Sequence, residues 1–428
     1  MAQPRVVVLV TGSELVRGDR RDANGPFLAA ELSRLGLEPA RVVIVGDRPE
    51  DLSSVLREGL QVDLCVVSGG LGPTHDDRTV EVLAAAAGTS LVVDGDLERQ
   101  IEEFSRGIAE RLGRPYADFA AGVRKQASLP EGAVSLGLAG SAPALLLERE
   151  GRVVVVLPGP PAELRRLWPS ALEHPAVKAI VERAQPPQRR VLRFFGPSES
   201  AVARALAEAG GEHDGLEVTV CARDLEIHVD VFSGEGGDES ASALVGRLRS
   251  AFPEELFALD DERGVEEIVL EACRSEGLTL ATAESCTGGM IGVRLTDVPG
   301  SSEVYLGGVI AYSDDVKRRE LDVPDEVLQQ HGAVSAETAA AMAQGARVRF
   351  AADIAVSVTG IAGPGGGTHE KPVGLVYIAV ESSRGMAARS GVLPGDREAI
   401  RVRATALALH LLRTVVTQSA THVRDHAV

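Results

Sequence analysis

The stretch TLATAESCTGG, residues 279–289, decides the interpretation of the C-terminal part of this chain. The apolar run at 278–283 is typical of a buried strand, and the two closing glycines favour a tight turn into a helix. Ser285 lies at this junction, where backbone amides at a helix N-terminus can hold a phosphate or a developing oxyanion. The stretch by itself fits equally a helix capped by Ser285 or Thr287.

Strand and helix signals alternate on both sides of this stretch, which predicts two α/β domains. In the N-terminal domain we expect a parallel sheet covered by helices on both faces, with ligands bound beyond the carboxyl ends of the strands. The strand-like runs of the two domains lie at 6–10, 41–45 and 63–68, and then at 278–283, 304–312, 353–359 and 373–380.

A small module separates the two α/β domains, and Pro186-Pro187 indicate a linker before it. The module has a mixed strand and helix pattern without a chemical constellation, which favours a compact α+β spacer or dimerisation domain. The predicted domains are therefore residues 1–170, 171–260 and 261–428.

Composition restricts the class of protein. A chain of 428 residues is too long to fold around a single hydrophobic core, so more than one domain is expected. With 62 acidic against 44 basic residues, a net charge of −18 and 3% aromatic residues, direct binding to nucleic acid is not expected. No apolar run reaches membrane-spanning length, and no signal-peptide pattern precedes the first strand. Four widely spaced cysteines show no metal-ligand spacing, so a cytoplasmic protein with reduced thiols is expected.

A nucleophilic serine needs a base, and a lysine can serve when burial lowers its pKa. Lys317 in AYSDDVK, residues 311–317, is the candidate, although its spacing by itself favours a solvated lysine. Cys286 is a rival nucleophile, and His331 and His369 are less favoured bases. The loop TGIAGPGGGTHEKPVG, residues 359–374, follows a strand, and such a glycine-rich loop can admit a ligand.

A second constellation follows the third strand of the N-terminal domain, in GGLGPTHDD at 69–77. Its glycines allow backbone amides to approach phosphate oxygens, and its two aspartates are suitable ligands for a divalent cation. The alternative is an acidic first turn of the next helix. The residues concerned are Gly69, Gly70, Gly72, Asp76 and Asp77, with Glu14 after the first strand as a third metal-ligand candidate.

The motifs AESCTGG, PGSS, AYSDDVK, HGAVS, TGIAGPGGG–EKPVG and GDREAIR, in this order, closely resemble the CinA C-terminal family of nicotinamide mononucleotide deamidases (PncC-type amidohydrolases). The resemblance implies metal-independent hydrolysis of the nicotinamide carboxamide to nicotinate mononucleotide and ammonia. It implies Ser285 as nucleophile and Lys317 as base, with Tyr312 close by. Substrate contacts implied or suggested by the loops are Thr287, Gly288, Gly289, Gly360 and Gly363, with Arg397 and Arg401 as candidate phosphate partners.

The motifs TGSELVRGDRRDAN, VGDRPEDL, SGGLGPTHDD, RKQA, GSAPA and LPGPPAEL resemble the CinA N-terminal domain, which is similar to molybdopterin-binding domains. The resemblance implies a metal-dependent ADP-ribose pyrophosphatase, with a divalent ion near the double aspartate. Ser13 and VRG depart from the commoner first motif around Glu14. The further phosphate contacts expected from these motifs are Thr74, Arg124, Lys125 and Gln126.

Together these patterns predict a homodimeric, cytoplasmic, bifunctional enzyme of pyridine-nucleotide salvage acting on nicotinamide mononucleotide and ADP-ribose. The alternatives are a competence- or DNA-damage-linked binding protein and a domain that retains only pterin binding. The acidic net charge disfavours DNA contact.

Overall fold

The computed structural model describes residues 3–210, 215–234 and 236–417. Its contacts divide the chain after residue 187 into two compact units. The outer limits of the first and last predicted domains, residues 1 and 428, lie outside the described residues. None of the helices in these ranges combines the length and apolar character that a membrane span requires.

The first unit alternates strands and helices from its beginning. Its strands are β1 (Val6–Thr11), β2 (Pro39–Val45), β3 (Leu64–Ser68), β4 (Leu91–Val93), β5 (Ser128–Pro130), β6 (Ala133–Leu138), β7 (Pro143–Arg149) and β8 (Arg152–Leu157). Its helices are α1 (Ser13–Val16), α2 (Asn24–Arg34), α3 (Pro49–Gly59), α4 (Thr79–Ala87), α5 (Gly95–Leu112), α6 (Ala117–Gln126), α7 (Pro161–Glu173) and α8 (Pro175–Val181).

A six-stranded sheet in the order β2-β1-β3-β8-β7-β6 organises this unit. Alternate residues of β1 belong to different cores, with Val7 and Leu9 on one face and Val6, Val8 and Val10 on the other. Helices therefore cover both faces, as predicted. The expectation of a purely parallel sheet was wrong, because β7 is antiparallel to β8 and β6 to β7. A short turn at Glu150-Gly151 makes β7 and β8 a hairpin, so no crossover helix separates them.

The second unit contains the remaining elements. Its strands are β9 (Gln188–Phe195), β10 (Leu216–Arg223), β11 (Glu226–Ser233), β12 (Leu256–Leu259), β13 (Leu280–Glu284), β14 (Tyr305–Ile310), β15 (Ile354–Gly360), β16 (Leu375–Ser382) and β17 (Gly385–Val392). Its helices are α9 (Glu199–Glu208), α10 (Asp238–Ala251), α11 (Val265–Glu276), α12 (Met290–Thr296), α13 (Asp314–Leu321), α14 (Asp325–His331), α15 (Ala336–Arg349) and α16 (Arg397–Thr417).

The first part of the second unit is the small α+β module. An antiparallel sheet in the order β10-β11-β9-β12 carries α9 and α10 on one face. Strand β11 shows why: Ile227, Val229 and Val231 are buried in the core shared with these helices, while the polar residues between them are directed to the other face.

The C-terminal sheet has the order β14-β13-β15-β16-β17. Strands β14, β13 and β15 are parallel, whereas β16 and β17 are antiparallel additions. Strand β17 was not predicted, because its sequence GMAARSGV is small and polar. The overall prediction of two α/β domains and an α+β module is confirmed. The parallel strands β13 and β14 both end at the same edge, which brings the segment after each strand to one place.

Helix α13 packs closely against α15 at Gly345. A Cβ atom at this position would overlap the backbone carbonyl of Leu321, at the end of α13. We expect Gly345→Ala to lower the free energy of unfolding by about 3 kcal/mol, because neither helix backbone can move aside cheaply. Denaturant titration measures this change.

The matched control is Gly246→Ala in α10, where a Cβ atom would meet open space. This substitution should raise stability by roughly 0.5–1 kcal/mol. Equal effects of the two substitutions would contradict the close helix packing.

Candidate active sites

The loop after β13 begins at Ser285, but the helix it leads into begins only at Met290. The Glu284 carboxylate accepts hydrogen bonds from the amides of Gly289, Ile291 and Gly292 at 2.9, 3.1 and 2.9 Å. Glu284 therefore caps α12. The alternative that Ser285 or Thr287 caps this helix is wrong, because neither side chain accepts a bond from its first turn.

Lys317 lies in α13, and its side chain is only 2% exposed. Its Nζ is 3.4 Å from the Oγ of Ser285 and 3.0 Å from the carbonyl oxygen of Ala311. The carboxylate of Asp314, one turn earlier, is 3.7 Å away. The solvated-lysine interpretation is thus wrong, and Nζ is within proton-transfer reach of the Ser285 hydroxyl.

Burial lowers the pKa of Lys317, since an ammonium group loses hydration in this environment, while Asp314 partly opposes the shift. The net direction increases the fraction of neutral amine at a given pH. A neutral amine can accept a proton, so the environment suits Lys317 to the role of a base.

The loop after β13 does not offer all the backbone amides that were expected to contact the substrate. Gly288 donates its amide hydrogen to the carbonyl of Ser285 at 3.1 Å, and Gly289 donates to Glu284. Both are therefore unavailable as substrate donors, contrary to the sequence-based expectation. Within the part of the chain that the structure describes, no backbone carbonyl accepts a hydrogen bond from the amides of Cys286 and Thr287, which lie near the Cys286 thiol.

Cys286 is buried in the hydrophobic core of the domain. Burial raises the pKa of its thiol to about 11, an effect that nearby backbone amides and Arg401 only partly offset. At neutral pH the side chain is a protonated thiol, which is a much weaker nucleophile than a thiolate.

Tyr312 is 59% exposed and directly follows Ala311, whose carbonyl accepts a hydrogen bond from Lys317. Arg397 joins it to the glycine-rich loop, donating from Nη2 to the Tyr312 hydroxyl and from Nη1 to the Gly363 carbonyl, both at 2.7 Å. Gly360 has a packing role, because a Cβ there would lie 2.6 Å from the Val376 side chain.

Arg401 was expected to face a phosphate, but two of its nitrogens are used within the protein. Nε donates to the carbonyl of Cys286 at 3.1 Å and Nη2 to that of Thr287 at 2.8 Å. The structure thus places Arg401 against the loop itself. Glu284 and the Ala311 carbonyl were not predicted, since nothing local in the sequence shows where either group is directed. Neither His331 nor His369 bonds to Ser285 or Lys317 among the described contacts.

The first unit has a pocket of about 350 Å³. Most of the residues predicted for the N-terminal site converge on it, although they come from two separate motifs. The predicted residues that line the pocket are Gly70, Gly72, Asp77, Arg124, Lys125 and Gln126.

The pocket's two motifs are tied together by hydrogen bonds. Lys125 donates to the carbonyl of Thr74, and Gln126 donates to the carbonyl of Leu71 at 3.0 Å. Gln126 is buried, so its amide positions the loop. Gly69 also differs from expectation, because its amide donates to the Leu157 carbonyl at 2.9 Å and is not free for a phosphate.

The acidic residues predicted for this site do not form a single cluster of metal ligands. The Thr74 hydroxyl lies within hydrogen-bond distance of the carboxylates of both Asp76 and Asp77, and its bond to Asp76 lowers the pKa of that carboxyl. Glu14 does not line the pocket, and its carboxylate lies against Gly12. In the described ranges no three His, Cys, Asp or Glu side chains are close enough to hold a metal ion. The side chains of Asp76 and Asp77 still fit a magnesium-type ion, which typically takes one or two carboxylates and completes its shell with water and phosphate oxygens.

Two family models match separate parts of the chain. Residues 262–416 match the family model "CinA C-terminal domain", and residues 7–179 match "Probable molybdopterin binding domain". A CinA-like protein of Mycolicibacterium paratuberculosis is 42% identical over 433 residues, covering 97% of this chain and 99% of that protein. The chain belongs to the CinA family.

A second relative of this CinA-family protein is similar over nearly the whole chain, and a solved structure is similar over part of it. A CinA-like protein of Mycobacterium tuberculosis is 40% identical, covering 96% of this chain and 97% of that protein. Among solved structures, the competence/damage inducible protein CihA of Agrobacterium tumefaciens is 42% identical with a TM-score of 0.35. It covers 36% of this chain and 98% of its own.

Proposed function

We propose that the C-terminal domain is a serine amidohydrolase that converts nicotinamide mononucleotide to nicotinate mononucleotide and ammonia. The observation that carries this proposal is the buried Lys317 amine, 3.4 Å from the Ser285 hydroxyl at the edge of the sheet. A lysine this poorly hydrated beside a serine fits the base of a Ser–Lys pair. The relatives' name, CinA-like, specifies no reaction, so the choice of substrate comes from the motif resemblance.

In the first half-reaction, Ser285 Oγ attacks the carboxamide carbon and transfers its proton to Lys317 Nζ. The carbonyl oxygen becomes an oxyanion, which the free amides of Cys286 and Thr287 are suited to stabilise. When the C–N bond breaks, the protonated Lys317 returns the proton to the departing nitrogen, and ammonia leaves. The product of this half-reaction is an ester between Ser285 and the nicotinate group.

In the second half-reaction, water attacks the ester carbon and gives a proton to Lys317. The collapse of this intermediate releases nicotinate mononucleotide and restores the Ser285 hydroxyl with the same proton. The net change is amide plus water to acid plus ammonia, so the residues end as they began. Arg397, which is exposed and bonded to Tyr312, is a candidate partner for the substrate phosphate.

The direct test incubates the purified chain with nicotinamide mononucleotide and measures ammonia and nicotinate mononucleotide. We expect equal amounts of both products and no loss of rate in the presence of EDTA. Absence of turnover with this substrate would overturn the proposed activity.

We also propose that the first unit hydrolyses ADP-ribose to AMP and ribose 5-phosphate in a metal-dependent reaction. The supporting observation is the pocket in which Arg124 and Lys125 meet the glycine loop and Asp77. The basic side chains suit a pyrophosphate, and Gly70, with φ +67°, allows its backbone to turn into the pocket. A divalent cation held by Asp76 or Asp77 would polarise the pyrophosphate.

Asp77→Asn is expected to lower the metal-dependent hydrolysis of ADP-ribose by at least about a hundredfold, since an amide is a poorer ligand for a hard cation. AMP formation is measured across a magnesium titration. Ammonia release from nicotinamide mononucleotide serves as the internal control and should not change.

Asp118→Asn in α6 is the matched control, as this carboxylate does not line the pocket. It should leave AMP formation unchanged. ADP-ribose cleavage by Asp77→Asn at the parent rate under saturating metal would rule out the metal role.

A further inference from the structure

Glu284 holds the Ser285 loop from one side. Its side chain is buried, and both carboxylate oxygens accept backbone amides, Oε2 from Gly289 and Ile291 and Oε1 from Gly292. These bonds join the residue before the nucleophile to the first turn of α12. The end of the loop is thereby held at a fixed distance from its beginning.

Arg401 holds the same loop through its carbonyl groups. Its guanidinium spans two consecutive peptide units, with Nε on the carbonyl of Cys286 and Nη2 on that of Thr287. A planar fork of this kind fixes both the distance and the orientation of two acceptors. Arg401 lies in the second turn of α16, whose next residues are buried in the domain core, so the fork has a rigid base.

Because of the geometry of the peptide bond, the contacts to the loop carbonyls also fix the directions of the N–H groups that follow them. In a trans peptide unit the C=O and the following N–H point in opposite directions. Holding the Cys286 carbonyl toward Arg401 therefore directs the Thr287 amide away from it. The Ser285 carbonyl is held by the Gly288 amide at 3.1 Å, which in the same way sets the direction of the Cys286 amide.

We propose that Glu284 and Arg401 are positioning residues that hold the amides of Cys286 and Thr287 as the oxyanion hole of the Ser285 site. This inference rests on the proposed amidohydrolase function and goes beyond it by naming the side chains that orient the two donors. These amides adjoin the nucleophile in the chain, and no backbone carbonyl in the described part of the chain accepts a hydrogen bond from them. Neither positioning side chain needs to touch the substrate.

The experiment compares Arg401→Lys and Glu284→Gln with the parent chain. A lysine offers a single point donor and cannot span the two carbonyls, and a glutamine replaces one acceptor oxygen by a donor that faces an amide. We expect kcat for ammonia release to fall about a hundredfold with KM within twofold, because the donors act on the oxyanion and not on the bound substrate. Arg403→Lys is the matched control, since Arg403 bonds to the carbonyl of Pro394 and should leave kcat unchanged.

A second measurement does not depend on nicotinamide mononucleotide. Phenylmethylsulfonyl fluoride sulfonylates a reactive serine, with Oγ bonding to sulfur and HF leaving, and mass spectrometry measures the rate at Ser285. This rate should fall in both variants. Millimolar guanidinium should restore part of kcat to Arg401→Ala, which keeps the test open if Arg401→Lys does not fold.

Retention of parental kcat and parental sulfonylation by folded Arg401→Lys and Glu284→Gln would overturn the positioning role. An unlabelled Ser285 in the parent chain would also overturn it. If the parent chain releases no ammonia but sulfonylation slows in the variants, the substrate proposal fails and the positioning role stands.

Discussion

Ser285→Ala is expected to abolish ammonia release from nicotinamide mononucleotide, with kcat falling by about six orders of magnitude. Without Oγ there is no acyl-enzyme route, and Lys317 has no hydroxyl proton to accept. Trapping of the acyl-enzyme after rapid acid quench, followed by mass spectrometry, should find nicotinate mononucleotide attached to Ser285 in the parent chain only.

Cys286→Ala is the matched control one residue away. Its thiol belongs to the hydrophobic core, and burial keeps its pKa at about 11, so it contributes no thiolate. We expect near-parental kcat with a loss of about 1 kcal/mol of stability from the small cavity. Loss of ammonia release in Cys286→Ala but not in Ser285→Ala would assign the nucleophile to the thiol instead.

Lys317→Met should lower kcat by about a thousandfold to ten-thousandfold. Methionine preserves the length and suits the buried position, so the variant isolates the loss of the amine from a loss of packing. Only the neutral amine of Lys317 accepts a proton, and burial lowers its pKa. The rate of the parent chain should therefore rise as pH increases through this lowered value, below the usual lysine range, and the rise should be absent in the variant.

Lys178→Met is the control for this substitution, because Lys178 is an exposed lysine that pairs with Glu173 in the first unit. It should leave both kcat and the pH profile unchanged. A pH profile of Lys317→Met identical to that of the parent chain would show that another group is the base.

The fold was predicted where the sequence carries periodic apolar signals. Strand β13 was evident from LATA and β1 from VVVLV, because consecutive apolar residues are typical of a strand buried on both faces. Strand β17 was missed, because GMAARSGV lacks that pattern and is held at the sheet edge by its hairpin with β16. The antiparallel edges of both large sheets were not predicted either. The reason is that strand direction depends on the connections between strands more than on strand composition.

The chemical types of the site residues were predictable, but their partners were not. Ser285, Lys317 and the two arginines of GDREAIR were chosen from their residue types, their neighbours and the resemblance to CinA proteins. The sequence could not show that Arg401 bonds the loop while Arg397 bonds Tyr312. Both arginines lie on one helix, four residues apart, and only packing decides what each one meets.

Sequence by itself determined the strands that carry apolar runs, such as β1 and β13, the CinA-family resemblance and the presence of a serine, a lysine and a glycine-rich loop. Only the tertiary structure decided that Lys317 is buried against Ser285, that Glu284 rather than a hydroxyl caps α12, and that Arg401 holds the loop. The physical reason is the separation along the chain over which each kind of interaction acts. Apolar periodicity and turn chemistry act between neighbours in the chain, whereas burial, desolvation and hydrogen-bond partners depend on which distant segments the sheet edge brings together.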